Sequence, residues 1–146
     1  MELKRVVVTG LGALTPIGNT KDEYWDALVS GKSGAAPVTH FDAEKFKTQF
    51  ACEVKNFEVT DFIDRKLARQ MDKFSQYAMV ASDEAIADAN LDLDALNKYR
   101  VGVIWGAGIG GLETFQEEVL NYAKGDGTPR FNPRFIPKMI ADIAPG

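Results

Sequence analysis

Two short apolar runs, Lys4 to Thr9 (K-R-V-V-V-T) and Arg100 to Trp105 (R-V-G-V-I-W), each pass straight into a glycine-rich loop. No other feature constrains the fold of this chain as strongly. A β-branched run closed by glycine predicts a strand, and one without polar alternation predicts a strand buried on both faces. The loop after the first run carries Gly10, Gly12, Pro16 and Gly18, and the loop after the second is G-A-G-I-G-G, residues 106–111.

Helical patterns alternate with these runs. Thr20-Lys-Asp-Glu23 is a capping box; Tyr24, Trp25, Leu28 and Val29 supply an apolar stripe, and Gly31 ends it. Asp61 to Met71 predicts an amphipathic helix, with Phe62, Ile63, Leu67 and Met71 on one side and Arg65, Lys66 and Arg69 on the other. A longer helix is predicted from Phe74 to Ala89. Its small residues Ala78, Ala81 and Ala85 suit close packing against a sheet, and Asn90 is its left-handed stop. A further helix is predicted over Leu112 to Ala123, a turn at Gly125-Asp-Gly127, and short elements at Gln49 to Val54 (strand) and Met139 to Ile143 (helix). Pro129, Pro133 and Pro137 predict an extended or looped chain over 128–137. No internal repeat or low-complexity tract is read. Strands alternating with helices give an α/β fold with a mainly parallel sheet.

Composition narrows the function classes. A net charge of −4 excludes a general nucleic-acid binder, which carries a basic excess. No apolar run reaches the roughly 18 residues that span a bilayer, so no membrane partner is expected. The single cysteine, Cys52, excludes an internal disulfide and fits a reducing, cytoplasmic setting. Pro145-Gly146 closes an apolar stretch without a polar tail, and the chain is expected to be a piece of a longer protein.

Gly106, Gly108 and Gly111 satisfy the G-x-G-x-x-G spacing of a dinucleotide loop. Such a site also needs an acidic residue at the end of the next strand, roughly 20 residues on. The acid in that window is Asp126, which lies in a glycine turn followed by prolines. At the N-terminal loop, Pro16 blocks a helix from starting. The simpler reading is that these glycines permit tight turns and close backbone approach. A Rossmann-like oxidoreductase domain stays as a competing class, testable by NADH titration, and a pure assembly module is a third.

Four segments carry a resemblance: residues 5–19, 71–91, 100–118 and 129–146. In order and spacing they resemble the N-terminal part of a beta-ketoacyl-acyl-carrier-protein synthase of the type II elongating class. The resemblance implies part of the N-terminal half of a thiolase-like, five-layered αβαβα fold, in a homodimer. It also implies elongation of acyl chains in fatty-acid biosynthesis, by decarboxylative Claisen condensation of acyl and malonyl thioesters held on acyl carrier protein. The resemblance implies that a cysteine at a helix N-terminus takes the acyl group and two histidines stabilise the enolate. It implies too that loss of carbon dioxide drives the step, so neither a metal nor another cofactor is expected. A chain-length factor or a polyketide synthase domain shares these motifs.

No residue of the chain matches the nucleophilic elbow or the histidines, so residues 1–146 are expected to be an incomplete, inactive N-terminal domain. The catalytic elbow and the C-terminal half are expected beyond it. Cys52 lies in Q-F-A-C-E-V-K and His40 in a loop, and neither matches a catalytic motif. Two positions are implied as substrate-binding: Ile109, an apolar stop in the glycine loop, and Phe135, which lines the same acyl pocket across the dimer interface. Arg65, Lys66 and Arg69 are implied to dock the acidic carrier protein, with Gln70 where some members carry another lysine.

Overall fold

The computed structural model describes residues 3–146. They divide into two compact units: the chain up to Phe57 with Ala81–Leu91, and Glu58–Val80 with Asp92–Gly146.

In the first unit, α1 spans Lys21–Val29. The Thr20 hydroxyl accepts from the Glu23 amide at 3.2 Å, and the Glu23 carboxylate accepts from the Asn19 amide at 2.8 Å, so the predicted capping box forms one residue offset at its return bond. The Lys32 amide donates to the Ala27 carbonyl and the Gly31 amide to that of Leu28, which closes the helix with Gly31 at φ +69°. A two-residue antiparallel ladder follows, β1 (Ala36–Pro37) against β2 (Phe50–Ala51), pairing Ala36 with Ala51. β2 falls within the strand expected at Gln49 to Val54, whereas β1 was not expected.

The long helix, α3, runs Lys73–Asp88 and stops at Asn90 with φ +50°, as its sequence predicts. Its small face in the first unit receives backbone rather than a sheet. A Cβ at Gly12 would collide with the Ala81 carbonyl, and one at Gly10 with that of Ala85. Glu84 and Asp88, one turn apart, fasten that loop. Glu84 accepts from the amides of Ala13 (2.7 Å) and Lys21 (2.8 Å); Asp88 accepts from the Leu11 amide (2.9 Å) and the Lys21 ammonium.

The second unit holds a one-turn helix α2 (Arg65–Ala68), α4 (Leu112–Lys124) and α5 (Phe135–Met139). The helix expected from Asp61 to Met71 is broken. The Asp64 side chain accepts from the amides of Lys66 (2.8 Å) and Leu67 (3.2 Å), which starts α2 there, and only a 3-10 turn precedes it at Val59–Asp61. Asp competes for backbone donors in this way wherever it can cap. The expectation of an extended or looped chain over 128–137 holds for residues 128–134 and is corrected only from Phe135 on. Phe135–Met139 is helical with Pro137 in the first turn, where no amide is needed for the helix ladder. The short helix expected over Met139 to Ile143 is replaced by the end of α5 and a 3-10 turn at Ala141–Ile143.

The two runs that opened the sequence reading form no ladder. Lys4 to Thr9 and Arg100 to Trp105 are without strand pairing among the described residues, and Val6 is 89% and Ile104 99% exposed. The predicted burial on both faces is therefore absent, and with it the mainly parallel sheet. A strand is a relation between two segments, and neither run has a neighbour to pair with. The core of the described residues is correspondingly small: Ala27, Ile63, Ala68, Ala78 and Val80.

Candidate functional site

The glycine loop of the second unit is set against α5 by its backbone. The Gly111 amide donates to the Met139 carbonyl at 3.0 Å. Gly110 sits at φ +89°, and a Cβ there would run into the same carbonyl, so both the handedness and the contact demand glycine. Gly111 is the N-cap of α4 and has no side chain to offer the first-turn amides. Asp72 supplies the cap from outside the helix. Its carboxylate, only 9% exposed, accepts from the Thr114 hydroxyl at 2.5 Å and the Thr114 amide at 3.3 Å. Lys73 beside it pairs with Glu113 at 3.0 Å, which holds the lysine pKa above its ordinary value, mainly through that bond.

This arrangement bears on the dinucleotide reading. A phosphate at a glycine loop needs the free amides of the helix N-terminus. At α4 the Thr114 amide is taken by a carboxylate of the chain itself, the Leu112 amide turns back to the Gly110 carbonyl, and the loop backbone lies against Met139. Asp126, the acid tested as a ribose ligand, accepts from the Thr128 amide at 2.9 Å and meets Arg130 at 3.5 Å. Its carboxyl is held below the ordinary range, chiefly by the Thr128 bonds.

Ile109, next to this loop's fixed end, is 70% exposed. Phe135 is half-buried and stacks on Phe115, with centroids 6.1 Å apart, and on Phe131 at 5.8 Å. Tyr122 extends the row, 5.6 Å from Phe131. The sequence carries a short tandem here, Pro129-Arg130-Phe131 and Pro133-Arg134-Phe135, which corrects the expectation of no internal repeat, but nothing in it marks Phe115 or Tyr122 as partners. A cavity of about 160 Å³ lies close by, lined by Met71, Ser75, Met79, Pro137 and Ile143 among others, and neither Ile109 nor Phe135 lines it.

Arg65, Lys66 and Arg69 are all exposed, at the start and end of α2, and none is held in an ion pair among the described residues. Arg65 shares a shallow depression with Glu58, Asp61 and Asp64, so the first of the three basic residues has acidic company. Cys52 and His40 are both exposed, with no hydrogen bond between them. The carboxylate near His40 is Glu53, already committed to the Thr39 hydroxyl at 2.6 Å; that bond first, then the Thr39 amide, depresses its pKa. No group of three metal-ligating side chains occurs among the described residues, and no helix is long and apolar enough to cross a membrane.

Solved structures place the fold among the ketosynthases. The chain is similar to the ishigamide ketosynthase/chain length factor (TM-score 0.83, 31% identity, 94% of this chain and 34% of that one). It is also similar to a type II polyketide ketosynthase solved in complex with its acyl-carrier protein (TM-score 0.77, 26% identity, 95% and 37%). The chain belongs to the family described as "Beta-ketoacyl synthase, N-terminal domain", which it matches over residues 3–146. It is 47% identical over 146 residues to 3-oxoacyl-[acyl-carrier-protein] synthase 2 of Synechocystis sp., which covers all of this chain and 35% of that protein. The chain thus spans about a third of the length of the curated relatives it matches.

Proposed function

We propose that this chain is the N-terminal segment of a cytoplasmic beta-ketoacyl-acyl-carrier-protein synthase that elongates acyl chains in fatty-acid biosynthesis. The observation that carries the reading is the family match over residues 3–146, joined to 47% identity along the whole chain with a named synthase. The capped N-terminus of α4 adds to it, because a glycine loop closed on its own carboxylate and carbonyl has no use for a nucleotide phosphate.

In the proposed reaction a cysteine thiolate attacks the acyl thioester and releases the carrier thiol. Malonyl-carrier protein then loses carbon dioxide to give an enolate. Its carbon attacks the enzyme thioester, and the cysteine leaves as thiolate. No residue of this chain takes a catalytic role in that sequence. The nucleophile and the histidines are assigned to the part of the parent that these residues do not cover, within a five-layered homodimer. Ile109 limits chain length from the glycine loop, and Phe135 lines the pocket. Lys66, Arg69 and Arg65 steer the acidic carrier protein; a relative solved with its own carrier protein supports that partner class.

The test is condensation by the parent, with acyl- and malonyl-carrier protein as substrates and product followed by mass spectrometry. The 146-residue chain is assayed in parallel and should give none. A parent that carries the cysteine yet forms no beta-ketoacyl product would refute the reading. A catalytically silent chain-length factor is the second reading, favoured by the TM-score of 0.83 to a ketosynthase/chain length factor; a parent lacking the cysteine would select it.

A further inference from the structure

Phe135 does not hold its own position. It sits on a five-residue helix whose N-cap, Arg134, makes no side-chain capping bond. What fixes the segment is α4. The Asn132 amide donates to the Glu118 carboxylate at 3.0 Å, and the Met139 carbonyl accepts from Gly111. Aromatic contacts add to these bonds, and Pro137 lines the small cavity beside Met71 and Met79. Phe115 and Tyr122 are seven residues apart on α4, two turns or about 10 Å along one face. Phe131 and Phe135 lie across that face. The Phe135 plane is inclined by 24° to Phe115 and by 15° to Phe131, so two stacked partners bear on one ring. Phe115 and Phe131 remain 44% and 43% exposed, and Phe131 also meets Tyr122. Any other χ1 well of Phe135 would forfeit both stacks at once.

We propose that Phe131 and Phe115 are positioning residues. They hold the Phe135 ring, and through it set the length of acyl chain the pocket admits, without touching the chain themselves. The inference rests on the reading that Phe135 lines the acyl pocket. Because the C-terminal end of α5 bonds to Gly111, two residues from Ile109, the same stack also steadies the loop that carries the other proposed stop.

The experiment uses the full-length parent with a hexanoyl and a tetradecanoyl primer on carrier protein, and reads the ratio of their kcat/KM values. Phe131→Leu should shift the ratio by about fivefold, the size expected from one aromatic pair, with the change mainly in KM for the long primer. Phe131→Tyr, which keeps the ring, should restore the ratio to within about twofold of the unchanged enzyme. Phe115→Leu should move it in the same direction as Phe131→Leu, which guards against misfolding of either variant. In a Phe135→Leu background, Phe131→Leu should add nothing. If Phe135→Leu shifts the ratio while Phe131→Leu and Phe115→Leu leave it unchanged, the positioning role falls and the pocket reading stands. If Phe135→Leu leaves it unchanged, the pocket reading falls and takes this inference with it. If the Phe131→Leu effect persists without Phe135, Phe131 meets the acyl chain directly and positioning is refuted.

Discussion

Asp72→Ala removes the cap of α4 without touching α4. The Asp72 carboxylate is buried, and both of its bonds to Thr114 end on one oxygen, Oδ2. Loss of an N-cap acceptor costs about 1 kcal/mol. A hydroxyl donating to a charged acceptor contributes a further ~1.5 kcal/mol, at the low end because the same oxygen serves both donors. The sum, about 2.5 kcal/mol, is close to two powers of ten in the local opening equilibrium. In the full-length parent, hydrogen exchange at the Thr114 and Phe115 amides, followed by mass spectrometry with residue resolution, should therefore speed up by roughly fifty- to a hundredfold in the variant. Thr114→Val removes only the hydroxyl bond and should produce the smaller part of that change. The amides of Lys21 and Ala13, which belong to the other unit, should be unaffected. Protection at Thr114 within about twofold of the unchanged chain would mean that α4 starts without help from Asp72. The account of why its N-terminus is unavailable to a phosphate would then fail as well.

In the full-length parent, Ile109→Trp should keep activity on short primers and lose it on long ones, since the added ring takes the space of an alkyl tail; an unchanged primer profile in a folded variant places Ile109 outside the pocket. Lys66→Glu with Arg69→Glu should slow association with carrier protein, and the wild-type rate should fall with added salt, whereas acyl-CoA donors should be affected less; equal loss with both donors would point to a different docking site. The Asp88 carboxyl is held below its ordinary pKa, mainly by Lys21 and then by the Leu11 amide, so its contribution is present above the unfolded carboxylate pKa and lost as pH falls through the folded value. Protection of the Leu11 amide should accordingly drop below about pH 4, and Asp88→Asn should lack that step; identical profiles would sink the clamp. Expressed alone, the 146-residue chain should bind a hydrophobic dye strongly, because Val6, Val8, Val103 and Ile104 are all more than half exposed; a sharp cooperative melt without dye binding would contradict this.

What the sequence made legible was local chemistry. Thr20 with Glu23, Gly31, Asn90 and the start of α4 at Leu112 were all readable because each depends on residues within one or two turns. Lys4 to Thr9 and Arg100 to Trp105 were not, because apolar runs advertise only a readiness to pair, and pairing belongs to whatever lies alongside. Asp64 defeated a sound amphipathic pattern by winning two amides for its own carboxylate. Asp72 was invisible for the opposite reason: the helix it caps begins about forty residues later in the chain. At the candidate site, sequence resemblance singled out Ile109, Phe135 and the basic residues of α2, while the ring row around Phe135 needed coordinates, since Phe115 and Phe131 stand sixteen residues apart.

The row Phe115, Phe135, Phe131 and Tyr122 is also an optical device. Rings this close couple their ultraviolet transitions, and excitation absorbed by the phenylalanines drains toward the tyrosine at its end. Docking of α5 on α4 is thereby written into the near-ultraviolet circular dichroism and into phenylalanine-sensitised tyrosine emission. Any event that lifts Phe135 would interrupt the row midway, and the difference between the near-ultraviolet dichroism of the unchanged protein and that of Tyr122→Phe would report it.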